Sequence, residues 1–266
     1  MSRALRNLFL AAVLVFLSAP LIVVAGVSVN AKKLLFFPPR GLSLSWYGEM
    51  VGQTQWRGPI ENSLFIATLA AALAVSIALP LAYFLWRHKV LYAKALYALG
   101  LVPFALPPVI TALGFLIFWA SLGYAGRIEN DVVSHGVFLM TLPLVTISLG
   151  LESIDPAMVE AAATMGADRR TVFRTVVLPL VAPYIVSGYA FAFVLSLNEY
   201  IIAYMVAGFT VETLPIKIFN ALRYGYTPIM AAVSVLFMAL AALVFGLVAR
   251  FGDLPKLLGA LAPRER

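Results

Sequence analysis

The chain has 266 residues, of which 62% are hydrophobic and 12% charged, with a mean hydropathy of +0.96. A soluble domain carries about a quarter charged residues, so this much apolar surface has to face lipid or other membrane helices. The absence of cysteine excludes disulfides and thiolate metal sites, and two histidines, His88 and His135, argue against a His-built metal centre. The formal charge of +7 reads as basic residues flanking membrane spans rather than as nucleic-acid affinity.

Arg3 and Arg6 precede an apolar run from Leu8 to Val29. The run is longer than a signal-peptide core, and Ser18-Ala19-Pro20 is a poor cleavage site, so it is expected to be an uncleaved first span. Five further windows reach the roughly 20 apolar residues that a spanning helix needs. They are Asn62–Trp86, Leu96–Leu122, Val132–Leu151, Leu180–Val206 and Pro228–Ala249. Helices satisfy their own backbone in lipid, and the alternation of a membrane barrel is missing. The expected fold is therefore all-α: one polytopic domain, residues 1–266, with six transmembrane helices and both termini on the cytoplasmic side.

Orientation follows from the basic residues. With the N-terminus inside, the inner segments hold Arg3, Arg6, Arg87, Lys89, Lys94, Arg169, Arg170, Arg174, Arg250, Lys256, Arg264 and Arg266. The outer segments hold the smaller set Lys32, Lys33, Arg40, Arg57, Arg127, Lys217 and Arg223. In the third window Pro103, Pro107 and Pro108 set a bend. Glu129 and Asp131, near Arg127, read as a solvated outer turn or as a docking surface. His88, between Arg87 and Lys89, belongs to a membrane edge, and His135 reads as a packing or hydrogen-bonding residue.

The inner loop 152–179 is the most distinctive segment. Asp155 is a good N-cap with Pro156 at the first helical position, and Met158 to Met165 favour helix. Gly166 is placed to end that helix in a left-handed turn, and Asp168 to cap a second one. In the second helix Arg170 and Arg174 share a face opposite Val172, Phe173, Val176 and Val177. Two short helices joined at Gly166 suit docking to a cytoplasmic partner, the row Ala161, Ala162 and Ala163 allowing close approach. An amphipathic segment lying on the membrane fits the same physics.

Glu160-Ala161-Ala162, then Gly166, Val176, Leu178 and Pro179, resemble the EAA loop of ABC importer permeases. Every interval of that pattern is kept, with Val176 in place of its Ile. The resemblance implies that Glu160, Ala161, Ala162, Gly166, Arg170, Arg174, Leu178 and Pro179 form a coupling element seated on an ATP-hydrolysing subunit. It also implies two such ATPase copies, a second permease subunit, an external solute-binding protein and a bacterial inner-membrane location. ATP and Mg would be bound by the partners, because this chain has no Gly-x-x-x-x-Gly-Lys phosphate loop. Looser motifs are similar to the second permease of spermidine/putrescine-type importers: Pro103 to Ile110, Ser196 to Tyr204, Thr213 to Phe219, Tyr226 to Ala232, and Ser43 to Tyr47. Permeases for iron, phosphonates or opines share parts of them.

Glu199 is the acid that falls well inside a predicted span, where charge is costly and usually faces a polar cavity or a partner. It either lines a path for a cationic substrate, with Asn198, Tyr200, Tyr204 and Trp119 beside it, or lies near the outer helix end and bonds its neighbours. Aromatic rings can stack on an amine but also serve as interface anchors. No clustered acids, nucleophile–base set or metal ligands point to catalysis. A self-powered carrier would place more ionisable groups at mid-membrane than Glu199 alone.

Overall fold

A computed structural model describes residues 3–88, 90–224 and 227–251. Lys89, Tyr226 and the tail with Lys256, Arg264 and Arg266, all invoked above, lie outside the described residues. Regular structure in the described part is helical, with one isolated bridge between Asn30 and Leu42. The chain divides into two compact units, Met1–Pro59 with Lys217–Ala242, and Ile60–Ile216 with Leu243–Arg266.

In the first unit, α1 (Arg3–Ser28) carries an exposed apolar surface along most of its length, as a helix facing lipid does. The segment after it is folded around Asn30, which is fully buried. The Asn30 side chain donates to the carbonyls of Leu34 and Phe36, and its oxygen accepts from the amides of Lys32 and Arg40. The short helix α2 (Ser45–Gly52) is pinned by the Trp46 indole, which donates to the Asn30 carbonyl at 2.6 Å. The stretch that carries Lys32, Lys33 and Arg40 is therefore an ordered, side-chain-stitched loop.

The second unit is built on α3 (Thr54–Arg87), whose buried stripe is Ala67, Ala70, Ala71, Ala74, Ala78 and Ala82. Small residues at helical spacing let neighbouring helices approach closely, which is how bundles pack without a hydrophobic driving force. Against it lie α4 (Ala93–Ala105), α5 (Pro108–Ser121), α6 (Ile128–Leu139), α7 (Thr141–Glu152), α8 (Pro156–Thr164), α9 (Arg169–Val172), α10 (Leu178–Asn198) and α11 (Ile201–Val206). Helices α12 (Leu214–Tyr224) and α13 (Ile229–Phe251) complete the described chain. Helix α10 packs against α7 at Gly188, where a Cβ would stand 2.6 Å from the Pro143 Cα. Only a residue without a side chain fits that crossing.

Among the described residues, four helices are long and apolar enough to cross a bilayer: Arg3–Ser28, Gln55–Arg87, Arg169–Asn198 and Ile229–Arg250. Two bent pairs raise the number to six if each is one span. Helices α4 and α5 turn by 101°, and α6 and α7 by 42°. The first bend falls where the prolines predict it. Pro107 and Pro108 have no amide hydrogens, and Leu106, the residue before them, is extended with ψ 150°. The bend exceeds what one crossing helix with a kink requires.

The fifth predicted window, Leu180–Val206, is displaced. The helix runs from Arg169 to Asn198, passes through a π turn at Phe173–Val177, and stops at Glu199 before α11 begins. Pro179 therefore does not separate the loop from the span. The widened turn, in which the Leu178 amide reaches the Phe173 carbonyl, accommodates the missing Pro179 donor without ending the helix.

Candidate functional site

Two regions of the second unit carry the chemistry, and α10 joins them. Its 21 residues span about 30 Å, so they stand roughly a bilayer core apart.

At the first region every predicted cap is in place. The Asp155 carboxylate accepts from the Ala157 amide at 2.9 Å and Pro156 opens α8. Gly166 has φ +86°, and nothing lies within 4 Å of where its Cβ would be. The Gly166 amide bonds the Ala163 carbonyl and the Ala167 amide the Ala162 carbonyl, which is the paired closure of a helix C-terminus around a left-handed glycine. Asp168 then accepts from the Thr171 amide at 2.8 Å. The Thr171 side chain, and after it this amide, hold the Asp168 carboxyl below its usual range, burial opposing them weakly.

This loop is seated on the unit's core. Ala162, Val172 and Val177 are buried with Ala78, Ala82, Leu144, Ile147, Leu151 and Val181, which come from α3, α7 and α10. The predicted row of three alanines is thereby split: Ala162 faces inward, whereas Ala161 and Ala163 are exposed. Glu160, Gly166, Arg170, Arg174 and Pro179 are exposed, and Leu178 is half-buried. The loop thus presents three arginines, Arg169, Arg170 and Arg174, one glutamate and the large apolar side chains of Met158 and Met165 to its surroundings. Beneath them it ties three helices, α3, α7 and α10, together.

At the far end, α10 breaks at Glu199. The Glu199 carboxylate turns forward and accepts from the amides of Ile201, Ile202 and Ala203 at 2.9–3.1 Å. These are the donors that the first turn of α11 leaves without intrahelical partners. The same carboxylate lies 3.3 Å from His135 Nε2, while His135 Nδ1 pairs with Ser196 Oγ at 2.8 Å. Next to His135, Ser134 Oγ accepts from the Trp119 indole at 2.9 Å. Glu199 is therefore not a mid-helix acid: it sits at a helix end, because its carboxylate replaces the bonds that a continuing helix would have made.

Asp131 corrects the reading of a solvated outer turn. It is fully buried, in the first turn of α6, and among the described residues neither of its carboxylate oxygens has a hydrogen-bond partner. It lies close enough to Glu199 for their charges to interact. Asp131 and His135, four residues apart on one helix, share a face, and that spacing was the signal that sequence reasoning passed over. Of the residues grouped with Glu199, Tyr200 and Tyr204 stack at 5.5 Å, with Tyr204 exposed. Asn198 is exposed and bonds back to the Val194 carbonyl, and Trp119 is bound to Ser134 rather than free.

Residues 74–253 match the family model described as the binding-protein-dependent transport system inner membrane component. The chain belongs to that family. Its permease character is shared by the putrescine transport system permease protein PotI of Escherichia coli (strain K12), 32% identical, with 94% of this chain and 89% of the relative covered. The spermidine/putrescine transport system permease protein PotC of Haemophilus influenzae (strain ATCC 51907 / DSM 11121 / KW20 / Rd) is 28% identical over 89% of this chain and 91% of its own. Among solved structures, a bacterial ABC transporter involved in alginate import matches with a TM-score of 0.69 at 16% identity, covering 94% of this chain and 98% of that one. The inward-facing MetNI methionine ABC transporter matches with a TM-score of 0.62 at 20% identity, covering 79% and 97%. The permease is thus a multi-pass membrane transport component, not an enzyme, with an importer-permease fold.

Proposed function

We propose that this permease is one of two transmembrane subunits of an ATP-driven importer for polyamines, with six spans and both termini in the cytoplasm of a bacterial cell. The observation that carries the coupling role is the construction of residues 156–177. It is a capped, glycine-closed element that exposes Glu160, Arg170 and Arg174 while its underside is buried in the core uniting α3, α7 and α10. A push on that surface moves three spans together. Two ATPase subunits would bind ATP and Mg and seat this loop; a solute-binding protein would deliver substrate on the far side. Nucleotide binding has to favour one arrangement of the spans over another for the cycle to run.

The polyamine reading is supported by relatives named for putrescine and spermidine over nearly the whole chain. It is supported also by two acids, Asp131 and Glu199, at the end of the unit remote from the loop. A buried carboxylate without hydrogen-bond partners is costly in a membrane protein and marks a place where a cation is received. Tyr200, Tyr204, Trp119 and Asn198 supply rings and an amide beside it.

Co-purification tests the coupling role. An ATPase comes down with tagged wild-type chain, and Glu160→Lys weakens that association; an unchanged complex removes Glu160 from the contact. Uptake of radiolabelled putrescine by Glu199→Gln protein, at matched membrane levels, tests the path. Unaltered transport would leave Glu199 a purely structural cap.

A further inference from the structure

An opening in the second unit lies beside the loop end, away from the acids. It is a crevice of about 420 Å³ between the end of α3, the start of α4 and the end of α7. Leu85 and Leu101 give it an apolar wall, and Trp86 and Tyr97 are the aromatic types that concentrate where hydrocarbon meets water. Lys94 and Glu152 line it as well, and among the described residues neither forms an ion pair.

Two opposite charges facing one apolar crevice, and not each other, are complementary to a ligand carrying both signs. The neighbouring helix faces are apolar and exposed, Leu99 and Leu149 among them. The ligand therefore has a hydrocarbon portion as well as a zwitterionic head. From this we infer that the crevice is a binding site for phosphatidylethanolamine. Lys94 meets the phosphate, Glu152 accepts from the primary ammonium, and the acyl chains lie along α4 and α7. A quaternary ammonium has no hydrogen to donate to Glu152, and a glycerol headgroup has no positive charge, so phosphatidylcholine and phosphatidylglycerol fit less well. The site adjoins Ala82 and Trp86, which also pack against the loop's core. An occupant there would brace the ends of the spans that the loop moves. The location in the inner leaflet rests on the proposed orientation; the chemistry of the crevice does not.

Native mass spectrometry of the detergent-purified transporter, titrated with each of the three lipids, tests this. Wild-type protein retains phosphatidylethanolamine in preference to the other two. Glu152→Gln abolishes the preference over phosphatidylglycerol, and Lys94→Gln weakens retention of both by about tenfold, the value of one hydrogen bond to a charged group. Equal retention of all three lipids by wild type, or a preference that survives Glu152→Gln, overturns the proposal. So does equal displacement by soluble glycerophosphoethanolamine, which would make the ligand a free zwitterion. ATPase association is scored on the same spectra. Loss of the lipid preference with the complex intact therefore separates failure here from failure of the coupling role.

Discussion

Helix α10 follows a loop whose cap bonds are all local and ends in a break whose bonds come from two other helices. In the loop before it, Asp155, Gly166 and Asp168 each close the backbone within a few residues of themselves, in full view of solvent. At its end, Glu199 closes the backbone of α11 while leaning on His135 of α6, and Asp131 is buried beside them without a hydrogen bond. The first arrangement is stable in almost any surroundings. The second stands only while α6 and α10 are packed together, and a rearrangement of those helices has to rebuild it. A rigid handle at one end and a conditional polar cluster at the other is the division of labour that a coupled transporter requires.

The sharpest way to break this contrast is at Glu199. Glu199→Leu strands three amides and His135, and the cost of removing one member of such a buried set is about 3–5 kcal/mol. The variant should yield far less folded protein in mild detergent, measured by thermal unfolding of the extracted fraction. Glu199→Gln keeps an acceptor oxygen and should lose about half as much stability. If Leu at 199 melts with the wild type, α11 has other caps and the cluster is not what holds the break.

A second test asks whether the two ends are independent. His135→Ala should cost about 1–3 kcal/mol through Ser196 and Glu199. Combined with Ser196→Ala, the two losses should fall short of their sum, since both remove the same 2.8 Å bond. Combined with Gly166→Val, at the other end of α10, the losses should add to within about 0.5 kcal/mol. Strong coupling between 135 and 166 would mean that α10 transmits strain even in the resting protein.

Gly166 itself gives a smaller effect on folding and a larger one on transport. Its φ of +86° costs an ordinary L residue about 1–2 kcal/mol. The space around its Cβ position is open, so Gly166→Trp should insert and fold with only that loss. Its bulk would still stand on the exposed face, and uptake should fall to background in vesicles containing normal amounts of the chain. Gly166→Asn, which tolerates the left-handed region, should retain most uptake.

What the residues disclosed in advance follows the same division. The loop caps were legible because N-cap, Pro and Gly signals act over three or four positions, and so were the helical character and the bend at Pro107-Pro108. The burial of Asp131 was not. Its place beside Arg127 and Glu129 suggested solvent, and only the packing of α6 against α10 puts it inside. The stop at Glu199 was hidden for a related reason: an apolar run continues through Ile201 and Val206, and hydropathy does not register a carboxylate that turns forward onto the first amides of the next helix. Nor did the proline at 179 announce that a π turn would carry the helix past it. Local chemistry is written in the order of residues, whereas a polar contact between helices is written in their spacing on faces that have yet to be paired.

Asp168 offers the gentlest test of the loop's self-sufficiency. Its carboxylate is fully exposed, and its depressed titration comes from the Thr171 bonds. A carboxyl lowered on folding stabilises the folded form above its ordinary range, and the contribution disappears as the pH falls through the lowered value. Hydrogen exchange at the Thr171 amide, corrected for intrinsic rate, should therefore be flat near neutrality and accelerate only in acid below the usual aspartate range. Asp168→Asn, which keeps an acceptor and remains a good N-cap, should remove that acid limb while leaving neutral exchange nearly unchanged. An acid limb that persists in the Asn variant would mean that the Thr171 bonds to Asp168 are not its cause, and the cap would then not be self-sufficient.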